Sequence, residues 1–246
     1  VLIFLFYPRI QGFFGTQPQN PNAFMQTCIE EEIQDAVSRL SLQGGSINPE
    51  HFIVFNGERI EYLCYTNQFY ETCVMQQPLL HKHIADEISK EIREESRKCL
   101  NDLRDSFESR GFNVNLEEST VVANVELLPK RIITRFDATI SLTKSGESQS
   151  YDSIVVFVNN NLYELVSITN SILNFEARLG DSETTTYMNY YHDLKVEKLK
   201  QGDGTTIYIL TNRNNGNKFQ FASRSLVFPP GLGLNQEIQQ TEGLEL

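Results

Sequence analysis

The spacing of apolar residues changes along this chain from helical to strand-like, and that change constrains the fold most strongly. After Asn22, which can cap a helix, "AFMQTCIEEEIQDAVSRLSLQ" has apolar residues three or four positions apart and predicts an amphipathic helix ended by Gly44 and Gly45. The same spacing predicts one long helix over residues 79–110 and another within "NNNLYELVSITNSILNFEARLG". A short helix is predicted around "TTTYMNYYHDL".

Between these segments the period becomes two, which predicts strands. Asn56-Gly57 lies at the centre of a predicted hairpin. Three strands are then predicted from "TVVANVEL", "KRIITRFDATISLTK" and "SYDSIVVFVN", and three more from "KVEKLKQGDGTTIYILTNRNNGNKFQFASRSL". The expected fold class is α+β, with antiparallel meander sheets and amphipathic helices packed on one face.

Composition and motifs exclude several functions. A length of 246 residues is enough to bury a substantial core, and a net charge of −11 argues against nucleic-acid binding. The sequence contains no GxSxG, HExxH, Walker, GxGxxG or CxxCH motif. We therefore predict a protein without catalytic activity and without a cofactor.

Four cysteines occur, at Cys28, Cys64, Cys73 and Cys99, and they allow three disulfide connectivities. Position favours Cys64–Cys73, which flank the short loop "YTNQFYET", and Cys28–Cys99, which would join two predicted helices. Two alternatives remain at this point, namely a zinc site with His81 or His83 and four separate buried thiols. The spacings lack the compact CxxC pattern of structural zinc sites. Disulfides would indicate an oxidising compartment.

The chain begins with seven residues that are too few to span a bilayer and too apolar for a free terminus. They are Val1, Leu2, Ile3, Phe4, Leu5, Phe6 and Tyr7. We interpret them as the end of a longer membrane helix, followed by a linker; the alternative is a buried N-terminal strand. The predicted organisation is a membrane segment at 1–8, a linker at 9–22, an α+β ectodomain at 23–228 and a flexible tail at 229–246.

The histidines and aspartates of the sequence do not form a recognisable metal or catalytic pattern. His81 and His83 stand two apart at a helix start and are expected to face solvent. Calcium binding by Asp203 with Asp193 is not favoured, because calcium loops space their oxygens more regularly. His192 is adjacent to Asp193, and adjacent helical residues do not face each other.

Two aromatic clusters predict an interaction surface, because tyrosine is enriched at protein interfaces. The first lies in the loop between Cys64 and Cys73 and the second in the short helix before residue 192. Their members are Tyr65, Phe69, Tyr70, Tyr187, Tyr190 and Tyr191. For the second cluster, a partly buried helix packed on the sheet is the competing interpretation.

Three stretches carry a resemblance to a known group. They are "FMQTCIEEEIQDAVSRLSLQGG", the Pro-Glu pair at 49–50, and "EIREESRKCLNDLRDSFESRGFNVN" before the strands. The layout resembles uncharacterised single-pass archaeal envelope proteins, whose N-terminal hydrophobic helix precedes an ectodomain that opens with a Cys-containing helix. The resemblance implies an anchored extracellular domain in which Cys28 pairs with Cys99. It implies no activity, and the pair Cys64 and Cys73 departs from the pattern.

The expected function is therefore a membrane-anchored extracytoplasmic surface protein with a structural or protein-interaction role. Its expected partners are other envelope proteins or copies of itself, with the N-terminus in the membrane and no nucleic acid. The alternative is a pilin-like subunit of an extracellular filament, assembled through the hydrophobic N-terminus. An extracellular enzyme is the third hypothesis.

Overall fold

The computed structural model describes residues 20–116 and 123–227 and shows an α+β protein. Its helices are α1 (Pro21–Leu42), α2 (Leu80–Glu91), α3 (Arg93–Ser109), α4 (Leu162–Leu179) and α5 (Thr185–Tyr190). The first six strands are β1 (Phe52–Phe55), β2 (Glu58–Tyr65), β3 (Val74–Met75), β4 (Asn113–Leu116), β5 (Ala123–Leu128) and β6 (Arg131–Phe136). The others are β7 (Ile140–Lys144), β8 (Glu147–Tyr151), β9 (Ile154–Asn159), β10 (Leu194–Lys200), β11 (Thr205–Asn212) and β12 (Lys218–Arg224).

The described residues divide into two compact units. The first consists of residues 20–32, 92–116, 123–124 and 134–157, and the second of residues 33–91, 125–133 and 158–227. The first unit contains the sheet β4-β7-β8, and the second contains the sheet β1-β2-β12-β11-β10 with β3 paired to β2. Strands β5, β6 and β9 form the third sheet, in that order.

Helix α1 begins two residues earlier than the sequence predicted. The side-chain oxygen of Asn20 accepts the backbone N–H of Ala23 at 2.8 Å, and Pro21 occupies the first turn, where a missing N–H costs nothing. Asn22 is therefore not the cap. The helix ends as predicted, since Gly44 and Gly45 have φ of 87° and 104°.

The single long helix predicted over residues 79–110 is wrong, because the structure has two helices, α2 and α3. Ile92 separates them with φ −78° and ψ 0°, a conformation that leaves the α-helical path. Ile92 is the N-cap of α3, and its carbonyl accepts both the backbone N–H of Ser96 at 2.9 Å and the hydroxyl of Ser96 at 2.6 Å. The sequence has no Gly or Pro at this break, and the helical spacing of apolar residues continues through it. The break is therefore not visible in the sequence.

The predicted meander of three strands forms five strands in two different sheets. "KRIITRFDATISLTK" contains both β6 and β7, because the chain turns after Phe136, whose carbonyl accepts the N–H of Ala138 at 3.0 Å. "SYDSIVVFVN" contributes the end of β8 and all of β9. Strands β7 and β8 form a hairpin, and the turn at Ser145 and Gly146 has positive φ at both residues.

The sheet of the second unit is mixed, which corrects the expectation of purely antiparallel pairing. Strand β12 pairs antiparallel with β11 and parallel with β2, so that Ala222 lies opposite Tyr62. The predicted hairpin β1–β2 and the predicted strands β10, β11 and β12 are confirmed. Asn56 and Gly57 have φ of 51° and 88°, as a two-residue hairpin turn of this kind requires.

Helix α4 packs against β2, β11 and β12 of this sheet and against α2. It buries an apolar stripe and ends at Gly180, whose φ of 79° allows its N–H to reach the carbonyl of Glu176 at 2.9 Å. The buried side chains of the stripe are Leu162, Leu165, Val166, Ile172 and Leu173. Phe175 follows Ile172 at the same helical spacing, which predicts that it belongs to the stripe, but its side chain is exposed.

Two predicted segments lie outside the described residues. They are the membrane segment with most of its linker, at residues 1–19, and the tail at residues 229–246. Within residues 20–116 and 123–227, no helix has the length and apolar character needed to cross a bilayer.

Candidate binding sites

Two disulfides are present, and all four cysteines belong to them. Cys28–Cys99 joins α1 to α3 in the first unit across a sequence separation of 71 residues. Cys64–Cys73 joins the end of β2 to the residue before β3 in the second unit, across 9 residues. This is the pairing that position in the sequence favoured. A zinc site built on the cysteines is excluded, because their sulfurs are bonded to each other.

The short disulfide closes a loop, residues 64–73, which we call the aromatic loop. Several backbone hydrogen bonds hold this loop against the end of β12 and the residues that follow it. The N–H of Thr66 donates to the carbonyl of Arg224 at 3.0 Å, and the N–H of Tyr70 donates to the carbonyl of Leu226 at 2.6 Å. The N–H of Leu226 donates in turn to the carbonyl of Glu71 at 3.0 Å. The loop is therefore held at its centre as well as at its ends.

Two aromatic side chains of the aromatic loop remain in solvent although the backbone beneath them is fixed. Phe69 is 59% exposed and Tyr70 is 74% exposed. Tyr70 also has φ of 65°, a left-handed conformation that disfavours residues with a side chain. Strain of this kind persists where the surroundings impose it, and it occurs preferentially at functional sites. The loop thus presents an exposed aromatic residue in a fixed, strained conformation.

Tyr65 belongs to a different environment from these two residues. Its ring lies 4.2 Å from the ring of His51 and 5.0 Å from that of Tyr62, and the guanidinium of Arg224 stands 5.6 Å from its centroid. The side chain is half-buried. Of the three residues predicted in this loop, Tyr65 therefore supports the sheet, and only Phe69 and Tyr70 offer free aromatic surface.

A buried carboxyl group lies close to the disulfide of the aromatic loop. Glu176 of α4 accepts hydrogen bonds from the hydroxyl of Tyr208 and, at 3.0 Å, from the hydroxyl of Ser223. The Ser223 oxygen is 3.6 Å from the sulfur of Cys73. Burial raises the pKa of Glu176, and these two hydrogen bonds oppose the rise. The carboxyl group thus joins helix α4 to strands β11 and β12 by hydrogen bonds, and the disulfide packs against this network at Ser223.

The second predicted cluster, in α5, also divides into supporting and exposed residues. The hydroxyl of Tyr187 lies 2.8 Å from that of Ser171 on α4, and its ring is half-buried. Tyr190 is 82% exposed and Tyr191 is 56% exposed. Tyr187 therefore attaches α5 to α4, whereas the other two tyrosines are available for contact.

Tyr190 and Tyr191 line a cavity of about 600 Å³ in the second unit, which we call the tyrosine groove. Its walls come from the first two turns of α4, the residues around the end of α5, and the ends of β10 and β11. The polar residues among them are Lys130, Asn161, Glu164, Ser167, His192, Asp193 and Asn212. The volume falls within the range of about 300–1,000 Å³ typical of small-ligand sites.

Lys130 is held in the wall of this groove by its backbone. Its N–H donates to Oε1 of Glu164 at 2.9 Å, and its carbonyl accepts the N–H of Asn160 at 3.1 Å. Its φ of 64° is left-handed. Four residues of the groove were considered as candidates from the sequence, namely Tyr190, Tyr191, His192 and Asp193. The other lining residues were not identified from the sequence, because the walls come from segments far apart in the chain.

A second buried polar cluster joins the end of α1 to β2 and α2. The hydroxyl of Ser46 donates to Oε2 of Glu61 at 2.5 Å and lies 2.8 Å from Nε2 of His83. A hydroxyl has one proton, so His83 is the donor to Ser46, the reverse of the direction by which a histidine activates a serine nucleophile. Burial raises the pKa of Glu61 and lowers that of His83. The cluster therefore stabilises the fold and is not arranged as a serine nucleophile with a histidine base.

The expectation that His81 and His83 face solvent is wrong. The ring of His81 lies 5.0 Å from that of Tyr163, and its Nε2 is 3.2 Å from the hydroxyl of Ser167, both on α4. His83 contacts Ser46 as described above. Within the described ranges, no three His, Cys, Asp or Glu side chains are grouped as a metal site requires. Asp203 instead accepts the N–H and the hydroxyl of Thr205 within its own turn.

Comparison of this chain with protein-family models, with curated proteins and with solved structures finds no match in any of the three.

Proposed function

We propose that this protein is a membrane-anchored, extracytoplasmic protein of the cell surface whose domain binds other proteins and has no catalytic role. Two observations support the compartment. Both pairs of cysteines are oxidised, which is typical of extracytoplasmic proteins, and the sequence begins with the apolar segment Val1–Tyr7. The partner is another envelope protein or a second copy of this chain.

The observation that carries the binding role is the aromatic loop. Exposed Phe and Tyr side chains contribute strongly to protein interfaces, and a fixed backbone lowers the entropy lost when they are buried by a partner. Phe69 and Tyr70 combine these properties, since a disulfide and backbone hydrogen bonds fix the loop that presents them. Tyr70 also has a left-handed backbone conformation, which favours glycine over a residue with a side chain, and the presence of a tyrosine there supports a functional role.

The compartment is tested by thiol labelling on intact cells. Free thiols are first blocked, disulfides are reduced with a membrane-impermeant phosphine, and the new thiols are labelled with a maleimide polymer that cannot cross membranes. We expect labelled cysteines only after reduction, and on intact cells. Labelling before reduction, or labelling that requires cell lysis, would place the domain in a reducing or internal compartment and contradict the proposal.

The binding role is tested by site-specific photo-crosslinking in native envelopes. A benzophenone amino acid replaces Phe69 in one variant and Phe157, a 48% exposed residue of the first unit, in the control. We expect a discrete crosslinked species from position 69 alone, whose mass distinguishes a second copy of this chain from another protein. Equal crosslinking at both positions, or none at position 69, would contradict a role for the aromatic loop.

A further inference from the structure

The tyrosine groove has features that the proposed protein-binding role does not use. It is separate in sequence from the aromatic loop, and no residue of the loop lines it. Tyr190 and Tyr191 are consecutive residues, yet both are more than half exposed. Neither ring stacks on another aromatic ring within the described residues. Large flat apolar surfaces left in water at the edge of a cavity are suited to stacking on a ligand.

The walls of the groove supply hydrogen-bonding groups of both kinds. The side-chain oxygen of Asn161 accepts the amide of Asn215, and that of Asn212 accepts the N–H of Asn214 at 2.9 Å. Both asparagines are thereby oriented, and their amide NH₂ groups remain as donors for a ligand. The carboxylate of Asp193 is an acceptor in the same groove.

The charges of the groove disfavour an anionic ligand. One lysine, Lys130, lines the groove together with two carboxylates, those of Glu164 and Asp193. Phosphate and sulfate groups are usually bound by several cationic side chains, and the two carboxylates would repel them here. A purely apolar ligand is also disfavoured, since it would leave the polar walls without hydrogen-bond partners.

A neutral saccharide satisfies all of these conditions. The C–H face of a sugar ring is apolar and packs by dispersion on an exposed aromatic ring, while its hydroxyls both donate and accept hydrogen bonds. Side-chain amides can donate hydrogen bonds to those hydroxyl oxygens, and carboxylates can accept hydrogen bonds from the hydroxyl groups. Leu165 and Leu194, which also line the cavity, are buried, so Tyr190 and Tyr191 form its apolar contact surface together with the half-buried Tyr163 and Ile168.

We propose that the tyrosine groove is a binding site for neutral oligosaccharides. Tyr190 and Tyr191 stack on sugar rings, Asn161 and Asn212 donate to hydroxyl oxygens, and Asp193 accepts from hydroxyl groups. Lys130, fixed by Glu164, closes one wall. This binding does not depend on the aromatic loop or on its protein partner.

The test uses the absence of tryptophan from the chain. In the full-length, oxidised protein, Tyr190→Trp introduces one tryptophan at the rim of the groove, whose emission reports stacking. The probes are maltohexaose, cellohexaose and the fully N-acetylated chitin hexasaccharide, all of them neutral and each titrated separately, with adenosine as an aromatic ligand of another class. Isothermal titration calorimetry on the unsubstituted protein provides a second readout that does not depend on the new residue.

We expect a saturable change in emission, and a matching calorimetric isotherm, with at least one of the three oligosaccharides. Adding Tyr191→Ala should weaken binding at least tenfold, and Asn212→Ala should weaken it as well. The control Phe157→Ala removes an exposed aromatic side chain of the first unit and should leave the affinity unchanged. Circular dichroism verifies that each variant is folded.

Two outcomes would overturn the proposal. One is saturable binding of adenosine without any response to the oligosaccharides, which would identify an aromatic ligand instead. The other is the absence of binding to every probe in both assays. Neither outcome bears on the crosslinking at position 69, so failure of the saccharide site and failure of the protein-binding role are distinguished.

Discussion

Replacing each pair of bonded cysteines by alanine should destabilise the protein by amounts that follow the lengths of the two closed loops. In the chain-entropy estimate, a crosslink removes more disorder from the unfolded chain when it closes a longer loop. For the separation of 71 residues between Cys28 and Cys99, the estimate is about 4.4 kcal/mol at 25 °C. For the separation of 9 residues between Cys64 and Cys73, it is about 2.6 kcal/mol. The expected difference is thus about 1.8 kcal/mol.

The measurement is guanidinium-induced unfolding followed by circular dichroism, with the double variants Cys28→Ala/Cys99→Ala and Cys64→Ala/Cys73→Ala compared under identical conditions. The free energy of unfolding should also fall more steeply with denaturant concentration in both variants, because an unfolded chain without the disulfide exposes more surface. This effect should be larger for the variant that lacks the Cys28–Cys99 disulfide. The disulfides lie in different units and share no partner, so the quadruple variant should lose about 7 kcal/mol. An equal or larger loss for the short loop would refute the entropic reasoning and indicate that contacts around Cys73 dominate.

Three further predictions concern the second unit. Tyr70→Gly should raise the free energy of unfolding by about 0.5–1 kcal/mol in thermal denaturation, because glycine relieves the left-handed strain, while reducing crosslinking from position 69. A fall in stability would show that the conformation is not strained. Gly180→Ala should destabilise by about 1–3 kcal/mol, since its Cβ would stand 2.1 Å from Cγ2 of Val227 at a φ of 79°; an unchanged melting temperature would contradict this packing. Glu176 has a raised pKa, so its stabilising contribution is complete below its usual value of 4.5 and is lost as pH rises through the higher folded value. Glu176→Gln should flatten that decline in a series of denaturation curves, and identical pH profiles for both proteins would exclude a buried ionisation at this site.

The periodic parts of the fold could be predicted from the sequence because one face of each element is buried. The stripe of α4, its end at Gly180 and the Asn56-Gly57 hairpin all follow from local chemistry. The break at Ile92 could not be predicted, because it arises from the backbone geometry of this residue in a segment whose apolar period is uninterrupted. The α+β class is therefore evident from the sequence, whereas the division of strands among sheets depends on long-range packing.

The candidate sites show the same limit. Tyrosine-rich stretches indicated where aromatic side chains would accumulate, yet the sequence gives no sign that Tyr65 and Tyr187 are supporting residues while Tyr70 and Tyr190 are exposed. That distinction depends on partners supplied by distant segments, such as Ser171 for Tyr187. The walls of the tyrosine groove were missed for the same reason, because no single segment contains more than a few of them.

The parallel pairing of β2 with β12 has a consequence for how the protein is made. Tyr62 and its partner Ala222 are separated by about 160 residues, so at about 5–20 residues per second the ribosome finishes β12 roughly 8–32 s after β2. During that interval one edge of β2 is open, and an open strand edge invites pairing with other chains. The pair Cys64 and Cys73 is only 9 residues apart and is complete early in synthesis, so its disulfide can close at the end of β2 before β12 exists. We expect a chain truncated before residue 218 to aggregate during synthesis, with the hairpin β1–β2 as the aggregating segment.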